Sequence, residues 1–394
     1  MHASLGSREL FPHLEARAYL NHAAISPPST AVVQAASAVI SDYAQRGVGA
    51  VMRWIEQRAA LRTDLARFIG VGADDIGFVA NTSAGVSATA LCFPWQPGDR
   101  ILLFTGEFPT NVTPWLQAAE AHGLGVDFLP LAGFGDGSGD GLARLEAHLT
   151  ATPTRLVAVS AVQFQTGLRM PLAQMAALCH RHGAQIFVDA IQAIGGVPFD
   201  ASGLDYVACG SHKWLMGLEG AGFLYVHPDR ISALRPRVAS WLSHAEGGMD
   251  FLFEGAGHLR YDRPVRAKAD FVEGGISNSV GLAALHAAVK LLDGLGAAAI
   301  YGHVQAYHDA LEPGLLALGF ASERAADPAA RSGILSVLPP EGAHVAALSA
   351  ALGERGVATT TPDGRLRFSP HWPNALSEVP DVLAAAGEAL AAVR

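Results

Sequence analysis

The sequence predicts an α/β protein, with a large domain built on a mostly parallel sheet and a smaller α/β domain towards the C-terminal end. Three observations carry that expectation. From about residue 76 to 230, short apolar runs alternate with helical stretches, as in sheets whose strands are joined by crossover helices. Helical periodicity flanks this region on both sides. Beyond it, strand-like runs and an Ala-rich stretch recur, and 394 residues, half of them hydrophobic, are enough for two domains and a deep cleft.

Taken in order, residues 30–45 (TAVVQAASAVISDYAQ) and 53–69 (RWIEQRAALRTDLARFI) carry apolar residues at helical spacing, and Gly70 ends the second. The strand-like runs follow: DIGFVA, RILLFTG, GVDFLPL, TRLVAVSAV, AQIFVDA, LDYVACG and GAGFLYV. Parallel sheets place their sites at the carboxyl ends of strands, so the polar residues just past each run are the first candidates for chemistry. Residues 243–275 are Gly-rich and mixed, a long irregular segment suited to lining a cleft or reaching a partner subunit. A helix is expected over 279–295, leading into a second unit with strands GILSVLP and RLRFS and a closing helix DVLAAAGEALAAV. The expected bounds are 16–285 for the large domain, and 1–15 with 286–394 for the small one.

A formal charge of −9 argues against general nucleic-acid binding, because no basic excess exists to neutralise phosphates. Cys92, Cys179 and Cys209 are scattered without CxxC spacing, so neither a zinc site nor a disulfide framework is expected, and a reducing compartment fits. The start MHASLGSREL lacks the pattern of a signal peptide, and no run of ~20 apolar residues offers a membrane span. A cytoplasmic protein without membrane association is expected.

Lysine is scarce: Lys213, Lys268 and Lys290 are the only ones among 27 cationic residues. Each therefore merits attention, because a lysine can shed its proton and act as an amine nucleophile whereas arginine cannot. Lys213 lies in YVACGSHKWLMGLEGAGFLYV, in a loop between two strand-like runs. Desolvation there would lower its pKa and favour Schiff-base formation with an aldehyde. An isolated lysine in such a loop more often only caps a turn.

Other residues change that weighing. Asp189 ends the run IFVD, where a carboxylate could hold the proton of a pyridine nitrogen, with Gln192 close behind. Alone, Asp189 would read equally well as a helix cap. Asn81-Thr82-Ser83 follows GFVA and opens a helix, whose free N–H groups and hydroxyls suit a phosphate, although an ordinary N-cap has the same look. Phe108 in GEFPTN could stack on a flat ring or simply fill a core.

The ordered motifs NTSAG, GEFPTNVTPW, FVDAIQ, GSHKWL and LRFSPHWPN resemble the class V aminotransferase group of pyridoxal-phosphate (PLP) enzymes, from about Tyr19 to the C-terminus. That group includes cysteine desulfurases, C–S lyases, isopenicillin N epimerase-like proteins and kynureninases. The resemblance implies the aspartate-aminotransferase-like fold, PLP as cofactor and a homodimer with a shared active site. It also implies that Lys213 forms the Schiff base, Asp189 binds the pyridine nitrogen and Gln192 approaches the phenolic oxygen. Phe108 takes the place of the ring-stacking residue, often His in the desulfurases. Thr82, Ser83 and His212 would hold the phosphate, and Ser211 stands near the place of a serine that many relatives carry before the lysine. Arg367 matches the arginine that clamps the substrate carboxylate, for which its bidentate fork is suited. Asn21 and His22, in NHAA, match the segment on the substrate side of the cofactor.

The sequence departs from the group's pattern twice. The loop before Arg367 reads RGVATTTPDGRLR, without the cysteine that persulfide-forming desulfurases carry there. In FVEGGISNS, Gly275 or Ile276 falls where relatives place a threonine directed at the neighbouring subunit's phosphate, leaving Ser277 or Asn278 to substitute. The expected reaction is β-elimination of the C–S lyase type on an amino acid. Transamination or epimerisation is the alternative within the group. An idle scaffold would not need Lys213, Asp189, Gln192 and Arg367 together, and a nucleotide-binding fold would need GxGxxG or GxxxxGK[ST], which the sequence lacks at an early strand.

Overall fold

The computed structural model describes residues 3–393. In chain order, β1 (Ala18–Tyr19) leads to α1 (Thr30–Arg46) and α2 (Val51–Phe68). The central region is β2 (Ile76–Val79), α3 (Thr82–Cys92), β3 (Arg100–Phe104), α4 (Thr113–His122), β4 (Gly125–Leu129), α5 (Asp140–Ala151), β5 (Leu156–Ser160), α6 (Leu172–Arg181), β6 (Gln185–Asp189), β7 (Tyr206–Gly210) and β8 (Gly222–Val226). After the short turns α7 (Pro228–Ile231) and α8 (Asp250–Phe253) come α9 (Ser279–Leu295) and α10 (Ala297–Ala317). The chain ends with β9 (Ala321–Ser322), β10 (Leu335–Leu338), α11 (Val345–Glu354), β11 (Val357–Ala358), β12 (Leu366–Phe368) and α12 (Val379–Val393).

Every strand-like run of the central region forms a strand of one seven-stranded sheet, in the order β2-β8-β7-β6-β5-β3-β4. All are parallel except β8, which runs antiparallel to both β2 and β7. Strands β5 to β8 are buried throughout, which is why they read as continuous apolar runs without alternation. The parallel arrangement brings the ends of β2, β3, β5, β6 and β7 to a common edge.

The helices follow from their apolar stripes. In α9, Leu282, Leu285, Val289 and Leu292 recur at helical spacing and join the main core, while Ala284 and Ala288 let α1 approach through Val32 and Ala36. The helix expected over 279–295 thus packs within the first unit. The second unit is a three-stranded antiparallel sheet, β12-β10-β9, backed by α10, α11 and α12, with its own core around Leu311, Leu335, Leu352, Phe368 and Leu390. The cores interleave at the edges of the expected bounds: Ala18 and Leu20 join the second core, because β1 pairs with β11, whereas Leu10, Phe11 and Ile300 join the first. No single helix among the described residues is long and apolar enough to cross a membrane.

Candidate active site

Five chain segments meet where the parallel strands end. Beyond β2, Asn81 caps α3, its side chain accepting from the Ala84 N–H at 2.8 Å. Thr82 is buried and its hydroxyl oxygen accepts from the Gly210 N–H at 2.9 Å, while Ser83 lies 2.8 Å from the Thr110 hydroxyl. The first turn of an eleven-residue helix thus presents N–H groups and two hydroxyls at the sheet edge, a built anion cradle.

Beyond β3 comes Phe108, unusually exposed for a phenylalanine at 43%, with the Lys213 ammonium 5.6 Å from its ring centroid. The preceding Glu107 is buried and accepts from the Ser160 N–H (2.7 Å), the Ser160 hydroxyl, the Gln163 amide (2.9 Å) and the Asn111 amide (3.3 Å), which ties the Phe108 loop to the end of β5. Sequence reasoning missed Glu107, although an acid beside the ring residue just past a strand was the available signal.

Asp189 ends β6, in register with Ser160 of β5. Burial pushes its carboxyl up to about 7, against the opposing pull of the Ile191 N–H and of Lys213. Gln192 is fixed at both ends of its amide: it donates to the Ala23 carbonyl at 2.9 Å and accepts from the Trp214 indole at 2.8 Å. Trp214 is itself fully buried, its ring so tightly flanked that a Cβ on Gly196 or Gly333 would come within 2.5 Å and 2.3 Å of it.

Lys213 follows β7. Burial draws its ammonium down to about 8, with Asp189 pulling the other way. The two make no ion pair. A flat ring could take Phe108 against its face, Asp189 at a ring nitrogen, Lys213 at an aldehyde and the α3 turn at a phosphate. The residues fit PLP.

Arg367, on β12, is buried at 4% exposure and donates to the Phe164 carbonyl at 2.7 Å, but its Nε has no partner and no described carboxylate pairs with it. Burial alone draws its guanidinium down to about 10. Phe164 also packs edge-on against Phe108, their centroids 5.1 Å apart, so Arg367 and the ring residue share a wall.

The remaining expected residues are placed differently. Ser211 is fully buried and its hydroxyl donates to the Leu218 carbonyl, which binds it into the lysine loop and leaves no proton for a phosphate. His212 is half-buried, and burial lowers its pKa. Asn21 bridges to Ser369 with its side-chain oxygen enclosed and unpartnered. His22 is buried and bonded to Ser26 at 2.8 Å. Of the segment 275–278, Asn278 is committed on both sides, capping α9 at the Gly281 N–H and donating to the Gly220 carbonyl. Ser277 accepts from Arg58 at 2.6 Å and keeps its own proton free.

A model of the aminotransferase class-V family matches residues 18–366. Among curated relatives, an uncharacterized aminotransferase of Bacillus subtilis (strain 168) is 26% identical over 385 residues, 94% of each chain. A cysteine desulfurase of Dickeya dadantii (strain 3937) is 32% identical over 299 residues, covering 73% of this chain and 68% of that one. Among solved structures, the cystine C–S lyase C-DES in complex with its reaction product cysteine persulfide superimposes with a TM-score of 0.86 at 27% identity, covering 96% of this chain and 99% of that one. A mutant of C-DES with glycine covalently linked to the PLP cofactor superimposes equally well, at 27% identity over 97% of this chain and 99% of that one. The chain belongs to the class V aminotransferase family and is a PLP-dependent enzyme.

Proposed function

We propose that this enzyme is a C–S lyase that eliminates a sulfur leaving group from the β-carbon of an amino acid, without passing sulfur to a protein thiol. The observation that carries this reading is the state of its thiols. All three cysteines are buried, and burial raises each of them, Cys179 to about 12. A sulfur acceptor must be an exposed thiolate, and the loop from Arg355 to Arg367 holds no cysteine at all. The likeness to a cystine C–S lyase supports the same class.

In this reading Arg367 binds the substrate carboxylate and so supplies the anion that its buried guanidinium lacks. Asp189 holds the ring nitrogen's proton, Gln192 lies near the phenolic oxygen, Phe108 covers the ring, and Thr82, Ser83 and His212 hold the phosphate. When bound, PLP supplies an electron-accepting ring that stabilises negative charge at the substrate Cα. Lys213, released as a free amine with its affinity for protons lowered to about 8, takes the Cα proton; the Cβ–S bond then breaks and the sulfur leaves with the bonding electrons. The products would be pyruvate, ammonia and a thiol, sulfide or persulfide. Incubation with cystine and with cysteine, followed by product analysis, tests this: pyruvate with ammonia supports elimination. Alanine, a racemised substrate or a transaminated cofactor would overturn it.

The enzyme is further proposed to be a cytoplasmic homodimer. Val48 (79% exposed), Met52 (59%), Phe253 (66%) and Ile276 (86%) lie around a cavity of about 520 Å³ between α1, α2 and residues 241–279, exposed apolar side chains that a second copy of the chain would cover. Ser277, held by Arg58 at its rim, is then the donor offered to the partner's phosphate. Sedimentation of the protein beside Ile276→Asp tests the assembly, the substitution being expected to yield monomer.

A further inference from the structure

The peptide that carries Lys213 is held by side chains from outside its own loop. Ser26 donates its N–H to the His212 carbonyl at 2.8 Å and its hydroxyl to the Lys213 carbonyl at 2.6 Å. A hydroxyl has one proton, and a carbonyl can only accept, so the 2.8 Å contact between Ser26 and His22 must run from the imidazole: His22 carries its proton on Nδ1. The next carbonyl, that of Trp214, is taken by His371, which donates from Nε2 at 2.9 Å and accepts the Trp372 N–H on Nδ1 at 2.7 Å. The two rings meet edge to face, centroids 5.4 Å apart. Burial keeps both neutral, His371 being drawn down to about 4. Three consecutive carbonyls are thus fixed, in a loop whose Met216 has a φ of 55°, a strained value for a residue with a side chain.

Both histidines are tied to the strand that holds Arg367. The His22 and Ala23 N–H groups donate to the carbonyl and hydroxyl of Ser369, each at 3.1 Å, and His371 follows two residues later. We propose that His22 and His371 form a clasp that sets the Lys213 amine against the Arg367 guanidinium, acting as positioning residues through Ser26 and the Trp214 carbonyl. The clasp links the group that moves the Cα proton to the group that holds the carboxylate, and misplacing one against the other by ~1 Å is worth up to about 10²-fold in rate. It rests on the reading of Lys213 as the cofactor amine.

The test uses the PLP-loaded enzyme and its His22→Leu, His22→Asn, Ser26→Ala and doubly substituted His22→Leu/Ser26→Ala forms. Asn places an N–H close to where Nδ1 stood. Without substrate, the pH midpoint of the cofactor's absorption band is expected to move by about half a unit or more in His22→Leu and Ser26→Ala. kcat should fall roughly tenfold with KM within about twofold. His22→Asn should restore both, and the double variant should be no worse than His22→Leu. An unmoved band with a raised KM would mean that His22 touches substrate, and additive effects of the two substitutions would break the link through Ser26; either overturns the clasp. If His22→Leu does not fold, Ser26→Ala carries the same expectations alone. Failure of the underlying reading is visible separately, as a band in the unsubstituted protein that survives Lys213→Ala.

Discussion

Two arginines of the C-terminal unit with enclosed side chains are provided for in opposite ways. Arg324, 5% exposed, is met by Asp309 at 2.7 Å, Glu312 at 2.8 Å and Gln305 at 2.9 Å. Arg367, the more deeply buried of the two, has one carbonyl and no carboxylate. The lysines repeat the contrast, for exposed Lys268 pairs with Asp74 at 3.0 Å while half-buried Lys213 has no ion pair. An uncompensated buried charge costs several kcal/mol, so a fold keeps one only where something outside the chain completes it. The paired arginine belongs to the structure, and the unpaired cations are the groups that the proposed substrate and cofactor would complete.

Substitution on each side of that contrast should therefore fail differently. The largest effect is expected for Lys213→Ala: loss of the visible cofactor band and a fall in kcat of about 10³-fold or more, with the fold intact by circular dichroism. Arg324→Met should cost about 1–3 kcal/mol in urea unfolding while leaving KM nearly unchanged, because it takes the cation from part-buried Glu312, whereas Asp309, 61% exposed, returns to water. Arg367→Met should do the reverse, leaving stability unchanged or raised while kcat/KM falls by about 10²-fold or more. Equal destabilisation by the two arginine substitutions would erase the distinction.

Much of this was legible in the sequence, and the reasons are specific. The buried strands announced themselves as apolar runs; Asp189 ended one, Lys213 lay just past another, and Arg367 sat inside the strand-like RLRFS, all within ordered motifs. What could not be read was the company each residue keeps. Ser211 stands near the place of a phosphate-binding serine in the sequence, yet its hydroxyl turns to Leu218. Ser26 and His371 lie far from Lys213 in the chain and meet it only because β1 and β12 fold back across the sheet edge. Interdomain edges were hidden for the same reason: Ala18 belongs to the second core through a pairing with β11, more than three hundred residues away.

Cofactor removal probes the same uncompensated charges through stability. In the apoprotein, Asp189 is raised to about 7, so its contribution is lost as pH rises from the ordinary carboxylate range towards 7. Lys213 is lowered to about 8, so its contribution is lost as pH falls from the ordinary lysine range towards 8. Near neutrality both charges are held at a cost, which bound PLP would relieve by offering Asp189 a ring proton and taking up the Lys213 amine. Stripping PLP should lower Tm by several degrees at pH 7.5, about 2–3 kcal/mol, and the loss should shrink in Asp189→Asn. No change in Tm would detach these groups from the cofactor.

The smallest effect sharpens the comparison within one residue type. His371 and His308 are both fully buried and neutral, but His371 uses both ring nitrogens whereas His308 uses neither. Burial, helped by the nearby Arg324, draws His308 down to about 3. A histidine lowered in the folded state binds its proton first in the unfolded chain, so the stability it allows is complete above about 6.5 and is lost progressively as pH falls towards 3. His308→Leu removes two unsatisfied polar atoms and the acid penalty together. It should add about 1 kcal/mol at neutral pH and flatten the fall in urea-unfolding stability between pH 6.5 and 4. His371→Leu, which removes made bonds and strands the Trp214 carbonyl, should instead destabilise and disturb the cofactor band. If His308→Leu destabilised as His371→Leu does, His308 too would have to hold partners, and burial without a bond would lose its value as a sign of what the fold merely tolerates.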